Sequence, residues 1–458
     1  MPAIISLNPY TEEVMKKFSS LSLAKTMQKA KLSQSAFKTW SSLSIEQRCN
    51  HLRKIADLLK KNKQEYATVT SQEMGKPIKQ AEAEIEKCAW TTEYFADNAP
   101  QFLKNEEIET EAYKSYITFE PLGVILGIMP WNFPFWQVFR FVIPALAAGN
   151  TTLIKHSSNV PQCSILLEKI FAQALPKNVY QNLLIDVKIT NNIIEKNLIQ
   201  GVSLTGSIDA GRNIAQTAGK MLKKIVLELG GSDPYIILED ANLQLACETA
   251  IQSRIINNGQ SCIAAKRFIV AEKKYDEIKS SLIISMKNQK LGNPLQETTT
   301  IGPLARKDLV QNLQKQLQNA IKKGAKLQYQ EDQVPKKGFF FPPTILLCNK
   351  NNPILQEETF GPLMTLVKVK DEKEAIEVAN NTNFGLGASL WTQDLEKAEQ
   401  LAKQIQAGTV AINGMVKSDP RLPFGGIKDS GYGKELGIYG IKEFTNIKTV
   451  VISNKQTS

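Results

Sequence analysis

The fold is decided by the stretch Gly201-Val-Ser-Leu-Thr205 and by the residues that follow it. This apolar run predicts a buried strand, and Gly206 opens a helical pattern that continues to Ala218. Lys224-Ile-Val-Leu-Glu228 predicts the next strand, and the same alternation begins upstream at Gly123. Alternating strands and helices are typical of a parallel sheet with helices on both faces, so we predict an α/β fold.

A second alternating region begins near Pro234 and continues to about Asn413, which predicts a second α/β domain. Residues from Thr26 to about Asn98 instead have the pattern of long amphipathic helices. Ser44 and Gln47 form a capping-box pattern at the start of one of these helices. At 458 residues the chain is too long for one ordinary core, in agreement with more than one domain.

The chain has six cysteines and only two histidines. No Cys-x-x-Cys pair occurs in the sequence, so we expect neither a zinc site or other metal site nor the disulfide framework of a secreted protein. No run of about 18 uncharged apolar residues occurs, and the start of the chain lacks the pattern of a signal peptide. We therefore expect a protein of the reducing cytoplasm without a membrane partner.

The formal net charge is +11. The lysines are spread along the chain and mixed with acidic residues, which favours a solvated surface over a nucleic-acid-binding role. A positive field would also help to collect anionic substrates and cofactors. We expect no nucleic-acid partner.

Two stretches carry candidate chemistry, Asn258-Gly-Gln-Ser-Cys262 and Leu227-Glu228-Leu-Gly-Gly231. The small and polar residues before Cys262 favour a partly exposed thiol, so we interpret Cys262 as a nucleophile. Glu228 ends an apolar strand, where burial would raise its pKa and suit it to be a general base. The alternative for Glu228 is a carboxylate that caps or pairs locally. The other cysteines are interpreted as small buried hydrophobic residues: Cys49, Cys88, Cys163, Cys247 and Cys348.

The turn at Gly206 and Ser207 places free backbone N–H groups at the start of a helix, which suits a pyrophosphate. The full Gly-x-Gly-x-x-Gly fingerprint is absent, so a plain strand-to-helix turn is an equally good interpretation. Lys155 ends a strand of the same predicted sheet, at the edge where ligands bind. It is either a contact for ribose or phosphate, or an ordinary surface lysine.

Four motifs follow one another along the chain: Met129-Pro-Trp-Asn-Phe-Pro134, Leu227-Glu-Leu-Gly-Gly231, Asn258-Gly-Gln-Ser-Cys262 and Glu357-Glu-Thr-Phe-Gly-Pro362. In this order they are highly specific, and the chain resembles the aldehyde dehydrogenase superfamily. The resemblance extends nearly end to end, from Asn8-Pro-Tyr-Thr-Glu12 to Pro423-Phe-Gly-Gly426. It implies NAD(P)-dependent oxidation of a small aldehyde to a carboxylic acid.

The resemblance also implies a role for each catalytic residue. Cys262 would attack the aldehyde to give a thiohemiacetal, while the amide of Asn132 and the backbone N–H of Cys262 form an oxyanion hole. Hydride transfer to the nicotinamide would leave a thioester, and Glu228 would activate the water that hydrolyses it. Because Glu228 is present, hydrolysis is favoured over transfer of the acyl group to coenzyme A.

The expected cofactor contacts are spread over three motifs: Trp131, Lys155, Ser158, Gly206, Ser207, Glu358 and Phe360. By resemblance, Glu358 and Phe360 position the nicotinamide ribose and ring, whereas Lys155 and the 206–207 turn hold the adenosine side. Many NAD-preferring relatives have a glutamate three residues after the lysine, where this chain has Ser158. No carboxylate there repels a 2′-phosphate, so NADP is expected and NAD remains possible.

The expected substrate contacts are Arg140, Ser418 and Arg254. Arg140 lies eight residues after Asn132, a spacing at which succinate-semialdehyde dehydrogenases bind the distal carboxylate of the substrate. A further arginine of some members is replaced by Ile256, and Arg254 either substitutes for it or is structural.

The chain resembles a bacterial succinate-semialdehyde dehydrogenase branch most, so succinate semialdehyde is the expected substrate. Other small aldehydes (glutarate semialdehyde, an aminoaldehyde or an aliphatic one) and a catalytically inactive binding or structural member are the alternatives. Ala264 stands where some members have a second cysteine, so no disulfide is expected within this loop.

The C-terminal strand Lys448-Thr-Val-Val-Ile-Ser453 has no strand partner nearby in sequence, so we expect it to pair with a second subunit through the extended stretch near residue 115. The protein is then a homodimer or homotetramer. The expected segments are a Rossmann-like dinucleotide-binding domain (1–102 and 122–229), a catalytic domain (230–432) and a small β element for oligomerisation (103–121 and 433–458).

Overall fold

The computed structural model describes residues 3–454, which form an α/β fold as predicted. The strands are β1 (Ala3–Leu7), β2 (Val14–Ser19), β3 (Glu106–Glu107), β4 (Lys114–Pro121), β5 (Val124–Met129), β6 (Thr151–His156), β7 (Tyr180–Asn182), β8 (Gly201–Thr205), β9 (Lys224–Glu228), β10 (Pro234–Ile237), β11 (Arg267–Ala271), β12 (Lys326–Gln330), β13 (Thr344–Cys348), β14 (Leu363–Val369), β15 (Gly387–Trp391), β16 (Thr409–Ile412), β17 (Gly431–Tyr432) and β18 (Thr445–Ile452).

The α-helices are α1 (Leu23–Ser41), α2 (Ile45–Lys61), α3 (Lys63–Met74), α4 (Ile78–Phe102), α5 (Trp136–Ala147), α6 (Pro161–Ala174), α7 (Val187–Ile194), α8 (Ile208–Lys220), α9 (Leu243–Ile255), α10 (Tyr275–Lys287), α11 (Lys307–Lys322), α12 (Glu372–Asn380), α13 (Leu395–Ala402) and α14 (Gly437–Lys442). The capping box of α2 is confirmed: the Ser44 hydroxyl accepts from the N–H of Gln47, and the Gln47 side chain accepts from the N–H of Ser44. Within the described residues, no helix is long and apolar enough to cross a membrane.

The first sheet has the strand order β17-β9-β8-β5-β6-β7, and the second has the order β12-β13-β14-β11-β10-β15-β16. Both are parallel as predicted, except that an antiparallel strand closes one edge of each: β17 beside β9 and β12 beside β13. The pairing of β17 brings residues 431–432, which we expected in the catalytic segment, into the sheet of the cofactor segment. Parallel strands align their carboxyl ends, so Met129 and Glu228 end at the same edge of the first sheet.

The third sheet corrects the expected pairing of the C-terminal strand. β18 pairs antiparallel with β4 of the same chain along its whole length, and β3 covers the other edge of β4. The partner of β18 is therefore the stretch near residue 115 of its own chain. Local sequence patterns do not predict which strand pairs with β18 when that strand is so distant along the chain. Residues 1–2 and 455–458, at the ends of two expected segments, lie outside the described residues.

Candidate active site

The loop that carries Cys262, residues 257–264, is called the nucleophile loop and has an unusual backbone. Asn257, Asn258 and Gly259 adopt positive φ angles of 53°, 59° and 75° in succession. Asparagine tolerates this left-handed region better than most residues, and glycine enters it without strain. At Gly259 a Cβ atom would lie 2.3 Å from the backbone carbonyl of Gly361, so a side chain is excluded. The local sequence thus turns the chain sharply between α9 and the nucleophile.

The asparagine side chains fix this turn to its surroundings. The Asn258 amide donates to the carbonyls of Gly75 and Pro303 at 2.9 and 3.0 Å, and accepts from the N–H of Gly302 at 2.7 Å. Asn257 Nδ2 donates to the Asn132 carbonyl at 2.6 Å. Both asparagines are fully buried, so these bonds replace lost hydration and hold the loop in one position.

Lys266 is a buried cation that the sequence interpretation missed. Its ammonium donates to three carbonyls of the nucleophile loop: those of Ser261, Cys262 and Ala264, at 3.1, 2.8 and 3.0 Å. The sequence offers one signal for this role: Lys266 directly precedes the fully buried strand β11. A charged residue in such a position needs hydrogen-bond partners inside the protein.

Arg254 is the expected substrate contact that the structure corrects. Its side chain is fully buried and donates to the carbonyl of Gly259 at 2.7 Å. It does not line the cavity that Cys262 faces. Arg254 therefore supports the backbone of the nucleophile loop. The interpretation of Arg254 as a substrate contact is wrong, and the alternative of a structural role fits. Near α9, the residue that lines the cavity is Ile256, which is apolar.

The thiol of Cys262 is half-buried and lines a cavity of about 370 Å³. Burial raises its pKa to about 12, while the positive charge of Arg140 acts in the opposite direction. A thiol with this pKa is protonated at neutral pH and needs a proton acceptor before it attacks. The five other cysteines are buried, which confirms their interpretation as hydrophobic residues.

Asn132 lies directly behind the nucleophile loop, after the end of β5. Its Nδ2 atom donates to the Gln260 carbonyl at 3.1 Å and carries a second hydrogen. The backbone N–H of Cys262 donates no hydrogen bond within residues 3–454. The two donors expected to form an oxyanion hole are thus both free to bond a further acceptor.

Glu228 ends β9 and is buried, with both carboxylate oxygens lacking a hydrogen-bond partner among the described residues. Burial raises its pKa to about 8, against the opposing charge of Arg140. The glycines that follow allow close packing: a Cβ at Gly230 would lie 2.7 Å from Glu358 Oε2, and one at Gly231 would lie 2.6 Å from the Cys262 carbonyl. This glycine pair therefore lets Glu358 and the Cys262 backbone pack against the chain directly after Glu228.

Arg140, on α5, lines the same cavity as Cys262 and is only 2% exposed. It forms an ion pair with Glu435, donates to Thr205 Oγ1 at 3.2 Å, and has its guanidinium 4.7 Å from the centre of the Phe424 ring. Glu435 was not anticipated, and it comes from the segment expected to serve oligomerisation. The charge of Arg140 is therefore already balanced within the chain.

Ser418, the other expected substrate contact, is buried and lines the same cavity. Its hydroxyl accepts a hydrogen bond of 2.7 Å from Lys87 Nζ on α4. Lys87 also lines the cavity and was not anticipated. It lies beside the buried residues Glu84 and Cys88 on α4, but the local sequence pattern does not distinguish it from a solvated lysine.

The expected cofactor residues lie in three groups. Trp131 and Phe360 are in edge-to-face contact, with ring centres 5.7 Å apart, and Glu358 Oε1 accepts from the N–H of Gly231 at 3.0 Å. Gly206 and Ser207 lie at the start of α8, where the Ser207 hydroxyl caps the helix by accepting from Ala210.

Lys155 and Ser158 line a second cavity, also of about 370 Å³. Ser158 is exposed, and burial lowers the pKa of Lys155. Asp186 lines this cavity too and was missed; its carboxylate caps α7 by accepting from the N–H of Lys188 at 2.9 Å. An acidic residue just before a helical pattern predicts a helix cap, but it does not predict that the residue lines a cavity.

Comparisons with known proteins agree with this arrangement. The model of the aldehyde dehydrogenase family matches residues 2–450. A probable succinate-semialdehyde dehydrogenase (NADP(+)) of Synechocystis sp. is 46% identical over 453 residues, which cover 98% of this chain and 100% of that protein. A succinate-semialdehyde dehydrogenase (NADP(+)) of Mycobacterium avium is 41% identical over 460 residues, covering 99% and 98%.

Among solved structures, succinic semialdehyde dehydrogenase from Streptococcus pyogenes in complex with NADP+ superposes with a TM-score of 0.96 at 36% identity, covering 98% of this chain and 100% of that one. The match of the family model and these relatives extends over both sheets and every motif of the site. The chain belongs to the aldehyde dehydrogenase family.

Proposed function

We propose that this protein oxidises succinate semialdehyde to succinate with NADP as the preferred cofactor. One observation carries the proposal: the cavity that holds the Cys262 thiol also holds cationic side chains and the Ser418 hydroxyl. A nucleophile at one position and groups that bind a carboxylate at another suit an aldehyde with a distal carboxylate. The names of the relatives from Synechocystis sp. and Mycobacterium avium point to the same substrate and cofactor.

In the proposed reaction, the Cys262 thiol passes its proton to a water molecule in the cavity, and the sulfur attacks the aldehyde carbon to form a thiohemiacetal. The negative charge that develops on oxygen is stabilised by Asn132 Nδ2 and by the backbone N–H of Cys262, both of which have a free hydrogen. Lys266 binds three carbonyls of the loop. The Cys262 sulfur and the backbone N–H of Cys262 therefore keep their relative positions during the attack.

Glu228 is the proposed general base that removes a proton from the water attacking the thioester. Its oxygens accept no other hydrogen bond in the described part of the chain, so they are available to a water molecule. Its raised pKa makes the ionised carboxylate a stronger base than an exposed glutamate, although a smaller fraction is ionised at neutral pH.

The residues at the second cavity fit the adenosine side of NADP. The Ser158 hydroxyl is exposed and without a partner in residues 3–454, and Lys155 offers a positive charge beside it. We propose that these two side chains hold the 2′-phosphate and ribose, that the 206–207 turn faces the pyrophosphate, and that Trp131, Glu358 and Phe360 enclose the nicotinamide end. When bound, NADP supplies the hydride acceptor for the oxidation.

We further propose that the chain forms a homodimer or homotetramer in the cytoplasm. The support is the edge strand β18, along which Ile447 and Val451 are each 56% exposed. An eight-residue edge strand with exposed apolar side chains is a surface that proteins usually cover. Sedimentation equilibrium tests this assembly, and a monomer at micromolar concentration would contradict it.

The decisive experiment is a panel of aldehydes, each assayed with NAD and NADP by the absorbance of the reduced cofactor. Succinate semialdehyde, glutarate semialdehyde, an aminoaldehyde and butanal differ in length and charge at the far end. We expect the highest kcat/KM for succinate semialdehyde with NADP. A higher value for butanal would overturn the substrate assignment, and no turnover with any of them would overturn the assignment as an enzyme.

A further inference from the structure

Three cations line the cavity near Ser418. Lys417 is exposed, whereas Arg140 and Lys87 are less exposed and differ in how their charges are balanced. Arg140 is paired with Glu435 and lies against the Phe424 ring. Lys87 forms no ion pair with a carboxylate within residues 3–454. Its ammonium bonds to the neutral Ser418 hydroxyl at 2.7 Å and lies 4.0 Å from the centre of the Trp136 ring.

The carboxylates whose charges reach Lys87 are both engaged elsewhere. Asp419 accepts two hydrogen bonds from the guanidinium of Arg421, at 2.9 and 2.7 Å. Glu84 forms a buried ion pair with Lys76 and accepts from the backbone N–H groups of Phe135 and Trp136, each at 2.9 Å. Neither carboxylate is free to balance Lys87.

Burial lowers the pKa of Lys87 to about 8, and the charge of Arg140 acts in the same direction. The ammonium is thus still mostly protonated at neutral pH, but its charge is poorly stabilised by the protein. An anion that enters the cavity supplies the missing partner, and removal from water makes that interaction stronger than at the surface.

Ser418 completes the geometry of such a site. Because its oxygen accepts the hydrogen bond from Lys87, its own hydrogen is free to donate to another acceptor. Ile256, on the same cavity, offers no polar group. The ammonium and the hydroxyl lie next to each other and suit the two oxygens of one carboxylate.

We propose that Lys87 is the specificity-determining residue that binds the distal carboxylate of the substrate, together with Ser418. The expected ligand is a short ω-oxo acid with its aldehyde at Cys262 and its carboxylate between Lys87 and Ser418. Arg140 lines the same cavity and stays a proposed contact of the carboxylate, although its charge is already shared with Glu435. This inference rests on the proposed function and names the residue behind the preference for an acidic aldehyde.

The test compares succinate semialdehyde with butanal, a neutral aldehyde with the same number of carbons, in the wild type and in Lys87→Met. Methionine keeps the length of the side chain and its packing on Trp136 while removing the charge. We expect kcat/KM for succinate semialdehyde to fall by about 10- to 100-fold, mainly through KM, because a hydrogen bond to a charged group is lost. The value for butanal should change by less than about threefold, on the same reasoning.

Lys87→Arg is the second variant, and it should recover part of the preference because it keeps the charge. Lys79→Met is the matched control, since Lys79 is an exposed lysine on the same helix α4, is paired with Glu297 and does not line the cavity. It should shift the ratio of the two kcat/KM values by less than about twofold, as expected of a solvated charge. Succinate, tested as a competitive inhibitor of aldehyde oxidation, should bind Lys87→Met at least about tenfold more weakly than wild type.

The outcomes separate this inference from the proposed function. A wild type that shows no preference for succinate semialdehyde over butanal overturns the proposed function. A wild type with that preference, retained by Lys87→Met, overturns the role of Lys87 alone. Equal losses on both aldehydes in Lys87→Met, with Lys87→Arg unable to recover the ratio, would show that Lys87 only supports the structure.

Discussion

The cavity at Cys262 and the cavity at Ser158 have the same volume, about 370 Å³, but hold their polar groups in different ways. Around Cys262, buried side chains tie the backbone at several points, and Lys266 alone contacts three carbonyls. At the second cavity, Ser158 is exposed and its hydroxyl is unbonded within the described residues. We infer that substitutions at the first cavity change the rate or the choice of aldehyde, whereas substitutions at the second change mainly the choice of cofactor.

The largest effect is expected at the nucleophile. Cys262→Ala removes the sulfur that forms the covalent intermediate, so kcat should fall by on the order of 10⁴-fold or more. Reduced-cofactor formation in steady state and in the first turnover measures this loss. Cys247→Ala, a change at a buried cysteine far along α9 from the loop, should keep its turnover and serves as the control. Comparable activity in both variants would mean that Cys262 is not the nucleophile.

Glu228→Gln should slow steady turnover by about 10²- to 10⁴-fold, the usual contribution of a general base. A first burst of reduced cofactor should remain, because the base acts after the thioester has formed. Rapid mixing separates the two phases. Glu239→Gln, at an exposed carboxylate paired with Lys273, is the control and should behave as wild type. Loss of the burst together with the steady rate would place Glu228 in an earlier step.

The pH dependence provides a second check on the same residue. The ionised form of Glu228 is the base, and its pKa is raised to about 8 by burial. In the wild type, the steady rate should therefore increase as pH rises through about 8 and level off above it. Glu228→Gln should lose this increase, whereas a rise of the same size in the variant would assign the titration to another group.

Asn132→Ala should lower kcat by about 10²- to 10³-fold, since it removes one of two oxyanion donors. The same variant also loses the hydrogen bond to the Gln260 carbonyl, so it needs a measure of folding. Thermal unfolding and the binding of NADP provide that measure. If kcat stays within a factor of about three while folding is intact, the oxyanion is stabilised elsewhere.

The two cavities also differ in how far the sequence predicted them. Cys262 and Glu228 stand in compact motifs whose chemistry follows from residue type and neighbours. The role of Asn132 was implied only by the resemblance to the family. The strand–helix alternation was enough to predict both parallel sheets. Lys87, Lys266 and Glu435 are single charged residues on distant elements, and their roles arise only when folding removes them from water. Arg254 was misassigned for a related reason: its place in the sequence is near the nucleophile, but its side chain points to the Gly259 carbonyl.

The smallest effect on rate, and the sharpest contrast with the first cavity, is expected at Ser158. Ser158→Glu adds a carboxylate that repels a 2′-phosphate and accepts from the ribose hydroxyls of NAD. The ratio of kcat/KM for NADP to that for NAD should fall by about tenfold or more, while kcat at saturating NAD stays within a factor of about three. Ser157→Glu is the control, because the neighbouring Ser157 hydroxyl already bonds to Asn159. Asp186 lines the same cavity and already places one carboxylate there. Removing that negative charge in Asp186→Asn should therefore shift the ratio towards NADP. Equal changes in both cofactors for Ser158→Glu would mean that this cavity does not hold the adenosine ribose.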